Sequence, residues 1–460
     1  MRTELRKIRV EIASQPVGTL AETPLGEIFF EYDSEWLQTG YSISPFYLPL
    51  QPGLQPQRPE TTQVFDGLFG VFDDSLPDGW GRLLMDRFFH SRTIALEDIT
   101  PLNRLSYVGK TGMGALTYRP IIETAGFDQH WLDLDEIAAQ AERIVSGSPE
   151  EALPALRAAG GSSSGSRPKA FVAYNPATGK MSSDVLQPGE GFEHWLIKFR
   201  AKEDPTDAGS IEAAYALMAL AAGINMPETR LFDTPIGRFF GIQRFDWKPG
   251  ARRIHTHTFG GLIHSSFRHP DRDYHDLLSV AFNLTHEFNQ VEEAYRRAVF
   301  NVFAHNRDDH VKNFAFVFTQ PTGWRLSPAY DLTLSSGING QHNMTVMGSG
   351  NPNEKHLLEL AKDQGIDPRK ARSILADVSA AIRRWPEFAE KTGVTNKSRA
   401  NVSSLLSCGE GALPRTLLKM GQLPKDREIL DPAAKEAIDA LKALRSLPPP
   451  HVKGLPALEP

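Results

Sequence analysis

Apolar and polar residues alternate twice near the start of the chain, at Ile8, Val10 and Ile12 and again at Ile28, Phe30 and Tyr32. A two-residue period predicts strands that bury one face. Residues 170–174 (A-F-V-A-Y) and 194–199 (H-W-L-I-K-F) predict two more strands, the second followed by a polar loop and a helix beginning near Ser210-Ile211-Glu212. Between 291 and 305 the period becomes helical, with Val291, Ala294, Tyr295, Ala298, Val299, Val302 and Phe303 on one face. Residues 313–318 (N-F-A-F-V-F) return to a strand, Pro321-Thr322-Gly323 turns, and Trp324-Arg325-Leu326 runs back toward Tyr330-Asp331. Further on, Leu357, Leu358 and Ala361 share a helical face, and Asp367-Pro368 caps a helix that continues through Ile374, Val378 and Ile382. A last helix is expected at 433–444, ahead of Pro448-Pro449-Pro450 and a loosely ordered tail.

The hairpin matters because of what its ends carry. Asp308 is followed five residues later by Asn313, and Asp331 lies eighteen residues beyond that. In phosphotransfer of the protein-kinase kind, an Asp accepts the acceptor hydroxyl's proton, an Asn five residues on holds one magnesium, and a later Asp holds the metal that bridges the phosphates. Triphosphate and carboxylates repel one another, so Mg2+ must sit between them on hard oxygen ligands. Asp308 thus reads as the base, with Asn313 and Asp331 as metal ligands. Upstream, Lys198 stands among bulky residues of a predicted strand, where its point charge would neutralise the phosphates of ATP, with Glu212 on the following helix as its partner. The stretch 159–169 (A-G-G-S-S-S-G-S-R-P-K) precedes the first strand of this lobe, and its small residues allow backbone amides to approach phosphate oxygens. The expected fold class is α+β: a two-lobed, protein-kinase-like fold with a β-rich first domain at 1–125, a smaller lobe at 126–246, a mostly helical larger lobe at 247–425, and a helix with a proline-rich tail at 426–460.

These residues resemble the HipA-type toxin kinases of bacterial toxin–antitoxin modules. R-D-D-H-V-K-N-F at 307–314 is similar to the family's T-D-G-H-A-K-N-F, and P-A-Y-D at 328–331 to its P-F-Y-D. Q-R-F-D at 243–246 resembles the E-R-F-D hinge, and G-I-N-M-P at 223–227 resembles G-L-N-V-P. The first domain fits in order as well, through F-E-Y-D-S-E-W-L at 30–37, L-P-L at 48–50, D-S-L-P-D at 74–78 and G-M-G-A-L at 112–116. The resemblance implies a serine/threonine kinase that uses ATP and Mg2+, with nucleotide contacts at Ser162, Gly165, Lys198, Gln243, Phe245 and His310. It also implies self-inactivation by phosphorylation within the group Ser162, Ser163 and Ser164. The implied protein substrate is translation-related, such as an aminoacyl-tRNA synthetase. The implied partner is a HipB-like helix-turn-helix antitoxin that alone would contact DNA. The second acid, Asp309, stands where the family often has Gly and leaves two carboxylates to choose between; Asp308 is preferred because the Asn lies five residues after it.

Composition narrows the alternatives. A net charge of −6 argues against binding DNA through bulk electrostatics, and one cysteine, Cys408, excludes an intrachain disulfide. The longest apolar stretch, 213–224, is too short and broken to span a bilayer, so no membrane partner and a cytoplasmic location are expected. His255, His257, His264 and His269 cluster, but no neighbouring Cys or Glu completes a metal spacing. A small-molecule or lipid kinase, and a non-catalytic repressor partner, remain the competing function classes.

Overall fold

The computed structural model describes residues 5–57, 64–122, 131–145, 165, 167–201, 203–248 and 252–407. The chain divides into Met1–Pro414 and Arg415–Pro460. The second unit, including the helix expected at 433–444 and the tail, lies outside the described residues, as do Ser162, Ser163 and Ser164.

The first region is a five-stranded antiparallel sheet, in the order β4-β3-β2-β1-β5, made by β1 (Lys7–Ile12), β2 (Gln15–Glu22), β3 (Ile28–Tyr32), β4 (Gln55–Pro56) and β5 (Leu116–Arg119). Ile28, Phe30 and Tyr32 all face its core, as their alternation predicts. β1 departs from strict alternation because a register shift between Val10 and Glu11 turns the strand. Glu11 is thereby buried against Arg119, 3.0 Å away, and Ile12 is left half-buried. Helices α1 (Trp36–Thr39), α2 (Gly70–Asp73), α3 (Gly79–Ser91) and α4 (Pro101–Val108) complete this region.

The second sheet, β7-β6-β8-β10-β9, comprises β6 (Lys169–Tyr174), β7 (Met181–Ser182), β8 (Glu193–Lys198), β9 (Thr229–Thr234) and β10 (Gly237–Gln243). Every residue of β6 is buried, which requires cover on both faces. Helix α6 (Ala208–Ala221) packs Ala213 and Ala216 against Phe240 and Ile242. On the other face α5 (Leu134–Val145) is joined by Trp80 and Leu84 of α3, so the first region supplies part of this lobe's core. Removing a buried side chain of Trp80's size costs about 3–5 kcal/mol.

The larger lobe begins after two short strands, β11 (Trp247–Lys248) and β12 (Arg252–Arg253). Its small sheet β13-β14-β15 contains β13 (His255–Thr258), β14 (Ala315–Thr319) and β15 (Gly323–Leu326). Around it stand α7 (Phe259–Leu262), α8 (Tyr274–Thr285), α9 (Phe288–Phe303), α10 (Glu354–Asp363), α11 (Pro368–Arg383), α12 (Trp385–Thr392) and α13 (Asn396–Ser407). The Asp367 carboxylate accepts from the amides of Arg369 and Lys370, the cap expected of Asp before Pro. In α10 the buried set is Leu357, Leu360 and Ala361; Leu358 is half-buried, because three- and four-residue spacing carries the inward face to Leu360.

Candidate active site

Helix α9 delivers the chain into the 304–313 loop, and one buried acid fixes that loop's shape. Asp309 is fully enclosed and accepts hydrogen bonds from Tyr274 Oη at 2.7 Å, His342 Nδ1 at 2.8 Å and the Asn343 amide at 2.9 Å. Tyr274 in turn accepts from Asn301 Nδ2 at 2.9 Å, which ties the loop to α9. Fully engaged in this way, Asp309 is a scaffold. Its neighbour Asp308 is exposed to solvent. The surrounding protein and the charge of Asp331 raise the Asp308 carboxyl above the usual range, against the opposing pull of His310 and Arg167.

The expected strand at 313–318 starts two residues late. Val311–Asn313 form a 3-10 turn capped by His310, whose Nδ1 accepts from the Lys312 amide at 3.2 Å. That turn brings Asn313 Nδ2 back to the Asp308 carbonyl at 2.6 Å, so Asp308 and Asn313 share one tied loop.

Strand register builds the opposite wall. Lys198 on β8 stands directly across from Lys169 on β6 and Phe240 on β10. Its ammonium bonds both Glu212 of α6 and Asp331 from beyond the hairpin. Burial opposes a charged lysine, but the two carboxylates more than compensate and raise Lys198. Burial likewise opposes ionised Asp331, yet Lys198 and Lys169 hold it well below the usual carboxylate range. Glu212 shares its lysine, and burial lifts it. Asp331 has a left-handed backbone, φ +53, a conformation that Asp tolerates better than most residues. The two residues before it are anchored: Ala329 N–H donates to Asn225 O at 2.8 Å, and Tyr330 Oη donates to Lys312 O at 2.7 Å.

Gly165 lies over Lys169. Its φ is +99, which favours glycine, and a Cβ there would displace the Lys169 ammonium. Gln243 ends β10, and Phe245 stacks on Tyr330 with centroids 5.7 Å apart. Between them, Arg244 and Asp246 form a buried fork, Nε–Oδ1 2.9 Å and Nη2–Oδ2 2.5 Å. Asp246 also accepts the Gly114 amide at 2.8 Å, which fastens the hinge to the first region.

Lys198, Glu212 and Asp331 are therefore in direct contact, Asp308 and His310 lie within electrostatic reach of Asp331, and Asn313 shares the loop of Asp308. Ionised Asp331 and the amide oxygen of Asn313 are hard ligands that fit Mg2+, which needs few protein donors when phosphates complete its shell. Among the described residues no three His, Cys, Asp or Glu side chains form a metal-holding group.

The histidines on β13 and after it have other work. His255 Nε2 is 2.8 Å from Ile43 O, while His257 lies 3.0 Å from Ser44 Oγ and 2.6 Å from Asp74. His264 accepts the Gly70 amide at 3.0 Å and stacks on Tyr47; His269 is exposed. Sequence reasoning assigned no role to Asp73, Asp78 or Lys312, although Lys312 pairs with Asp73 at 2.9 Å. The one signal was D-S-L-P-D at 74–78, whose two acids, Asp74 and Asp78, face the larger lobe together with Asp73 just before them.

A lysine–glutamate pair beneath a five-stranded sheet, a D-x-x-x-x-N loop, and a later Asp returned to it by a hairpin define the protein-kinase-like two-lobed fold. The HipA N-terminal domain matches residues 8–119 and the HipA-like C-terminal domain matches residues 161–385. The chain belongs to the HipA family. A Sinorhizobium fredii protein named "Putative kinase Y4dM" is 27% identical over 169 residues, which cover 33% of this chain and 40% of that relative's own length. Among solved structures, a chain of the Shewanella oneidensis toxin–antitoxin complex of HipA, HipB and operator DNA superposes with a TM-score of 0.64, covering 96% of this chain and 100% of its own at 15% identity; it shows the fold.

Proposed function

We propose that this protein is an ATP- and Mg2+-dependent serine/threonine protein kinase acting as the toxin of a HipA–HipB-like module. The observation that carries the reading is the convergence of Lys198, Glu212 and Asp331 opposite a solvent-facing Asp308. Asp308 orients the substrate hydroxyl and takes its proton as that oxygen bonds to the γ-phosphorus and the bond to the β-phosphate oxygen breaks, releasing ADP. Its raised carboxyl suits a base that must give the proton up again. Asn313 and Asp331 would hold Mg2+, which would supply positive charge to neutralise the phosphates. Lys198 and Lys169 supply fixed positive charge, His310, Gly165 and Ser162 meet the phosphates, and Gln243 and Phe245 meet adenine.

The substrate of this reading is a translation-related protein, such as an aminoacyl-tRNA synthetase, and its partner is a helix-turn-helix antitoxin through which DNA is reached. Phosphorylation within Ser162, Ser163 and Ser164 adds about −1.5 to −2 charges and repels ATP, which switches the enzyme off. Cytoplasmic location follows from such a target; among the described residues no helix is long and apolar enough to cross a membrane.

The test is labelled ATP with host lysate, wild type against Asp308→Ala, followed by phosphopeptide mapping. A labelled protein band that Asp308→Ala lacks supports the reading. Label confined to a small molecule replaces it with the small-molecule kinase, and growth inhibition undiminished in Asp308→Ala replaces it with the non-catalytic repressor.

A further inference from the structure

We propose that Asp78, contributed by the first region, is a positioning residue for Gly165, which lies over Lys169, and couples it to the loop of Asp308 and Asn313. This rests on the nucleotide-site reading above. Asp78 occupies the N-cap of α3, where an Asp ordinarily accepts an amide of its own helix. Here its side chain makes no such bond. One oxygen accepts the Gly165 N–H instead, and the other lies 3.9 Å from the ammonium of Lys312 on the catalytic loop.

The start of the same helix reinforces the grip. Trp80 N–H donates to Gly165 O at 2.9 Å, and Trp80 Nε1–H donates to Lys169 O at 2.9 Å. Gly165 is therefore held at both its amide and its carbonyl, and Lys169 at its carbonyl, by residues 78–80. Trp80 is itself immobilised in the core between α5 and the second sheet. Lys169, held in this way, stands directly across from Lys198. Lys312, tied to Asp73 at 2.9 Å and facing Asp78, brings the loop of Asp308 and Asn313 to the same acids. Two walls of the cleft that no continuous strand or helix joins thus share one carboxylate anchor. The first region is a working part of the nucleotide site as well as a neighbour of it.

The test compares full-length wild type, Asp78→Ser and Asp78→Asn. Serine is an acceptable N-cap for α3 but is too short to reach Gly165, whereas asparagine keeps an acceptor of the same length. For Asp78→Ser the expected result is a rise of about tenfold in KM for ATP, the scale of one lost hydrogen bond to a charged acceptor, with kcat changed less than about threefold. Amide exchange in the peptide containing Gly165 speeds up in the nucleotide-free protein. Asp78→Asn restores most of both. Trp80→Phe, which removes the donor to Lys169 together with part of the buried ring but leaves the Trp80 backbone donor to Gly165, raises KM about threefold and gives a second reading in folded protein if Asp78→Ser fails to fold.

Unchanged ATP KM together with unchanged exchange at Gly165 in a folded Asp78→Ser or Trp80→Phe protein overturns the proposal. Absence of phosphotransfer by wild type would instead remove the kinase reading, and the exchange experiment, which needs no activity, then decides the anchor alone.

Discussion

Two buried acid–cation clusters lie near the cleft, and they are built for opposite ends. In the first, one lysine, Lys198, serves two carboxylates, Glu212 and Asp331, and the Asp331 side chain remains 31% exposed. In the second, Arg244 presents a fork to Asp246, whose side chain is 2% exposed and whose remaining acceptor capacity goes to the Gly114 amide. A forked pair with a further amide is complete and rigid. A lysine shared between two acids can let one go and still be paired, so Asp331 is able to turn to a cation while Glu212 keeps Lys198 in place. The difference separates a cluster that works from one that fastens.

The largest expected effect tests the working cluster. Asp331→Asn keeps a residue that tolerates positive φ and removes the charge; phosphotransfer falls by about 10³-fold, on the scale of losing a principal electrostatic group, while the thermal midpoint moves by only a few degrees. The mirror experiment is Asp246→Ala, which strands Arg244 and costs about 3–5 kcal/mol in denaturant unfolding. Activity per folded molecule changes little by comparison. A large stability loss in the first variant, or a purely catalytic loss in the second, would erase the distinction.

Smaller effects sharpen it. Burial pushes His255, which joins β13 to Ile43, down to about 4. Its folded value lies below its unfolded one, so its contribution to stability is complete above about pH 6.5 and is lost as pH falls toward 4. The size is about 3 kcal/mol at most, read as wild-type stability against pH. In His255→Gln that slope flattens. The mildest is Glu212→Gln, which leaves Lys198 wholly to Asp331; transfer falls about tenfold with nucleotide affinity less affected. An unchanged rate would show that sharing the lysine is unimportant.

What could be read from the chain divides by contact distance. Asp308, Asn313 and Asp331 lie on one loop and one hairpin, and Lys198 with Glu212 on a strand and the helix after it, so spacing and period locate them. Asp309 beside Asp308 raised a real ambiguity, because a string of residues does not say which carboxylate is enclosed; Tyr274 and His342, which enclose it, come from other elements. The anchor at Asp78 was invisible for the same reason, since Gly165 is 87 positions away and Lys312 is 239 positions from Asp73. Even in regular elements the errors were local geometry: a bulge turned Ile12 partly outward, and a capped turn took Asn313 out of its strand.

The carboxylate of Asp74 accepts from Thr258 N–H at 2.7 Å and Thr258 Oγ1–H at 2.6 Å, and it meets His257, 183 positions downstream. During translation the strands of the first sheet leave the ribosome well before any of these partners exist. An ionised acid cannot be sealed into an apolar interior alone, so the early strands can pair but cannot close around Asp74 until β13 arrives. A nascent chain stalled before that point should remain open to chaperones and proteases, and the two halves of Met1–Pro414 mature together.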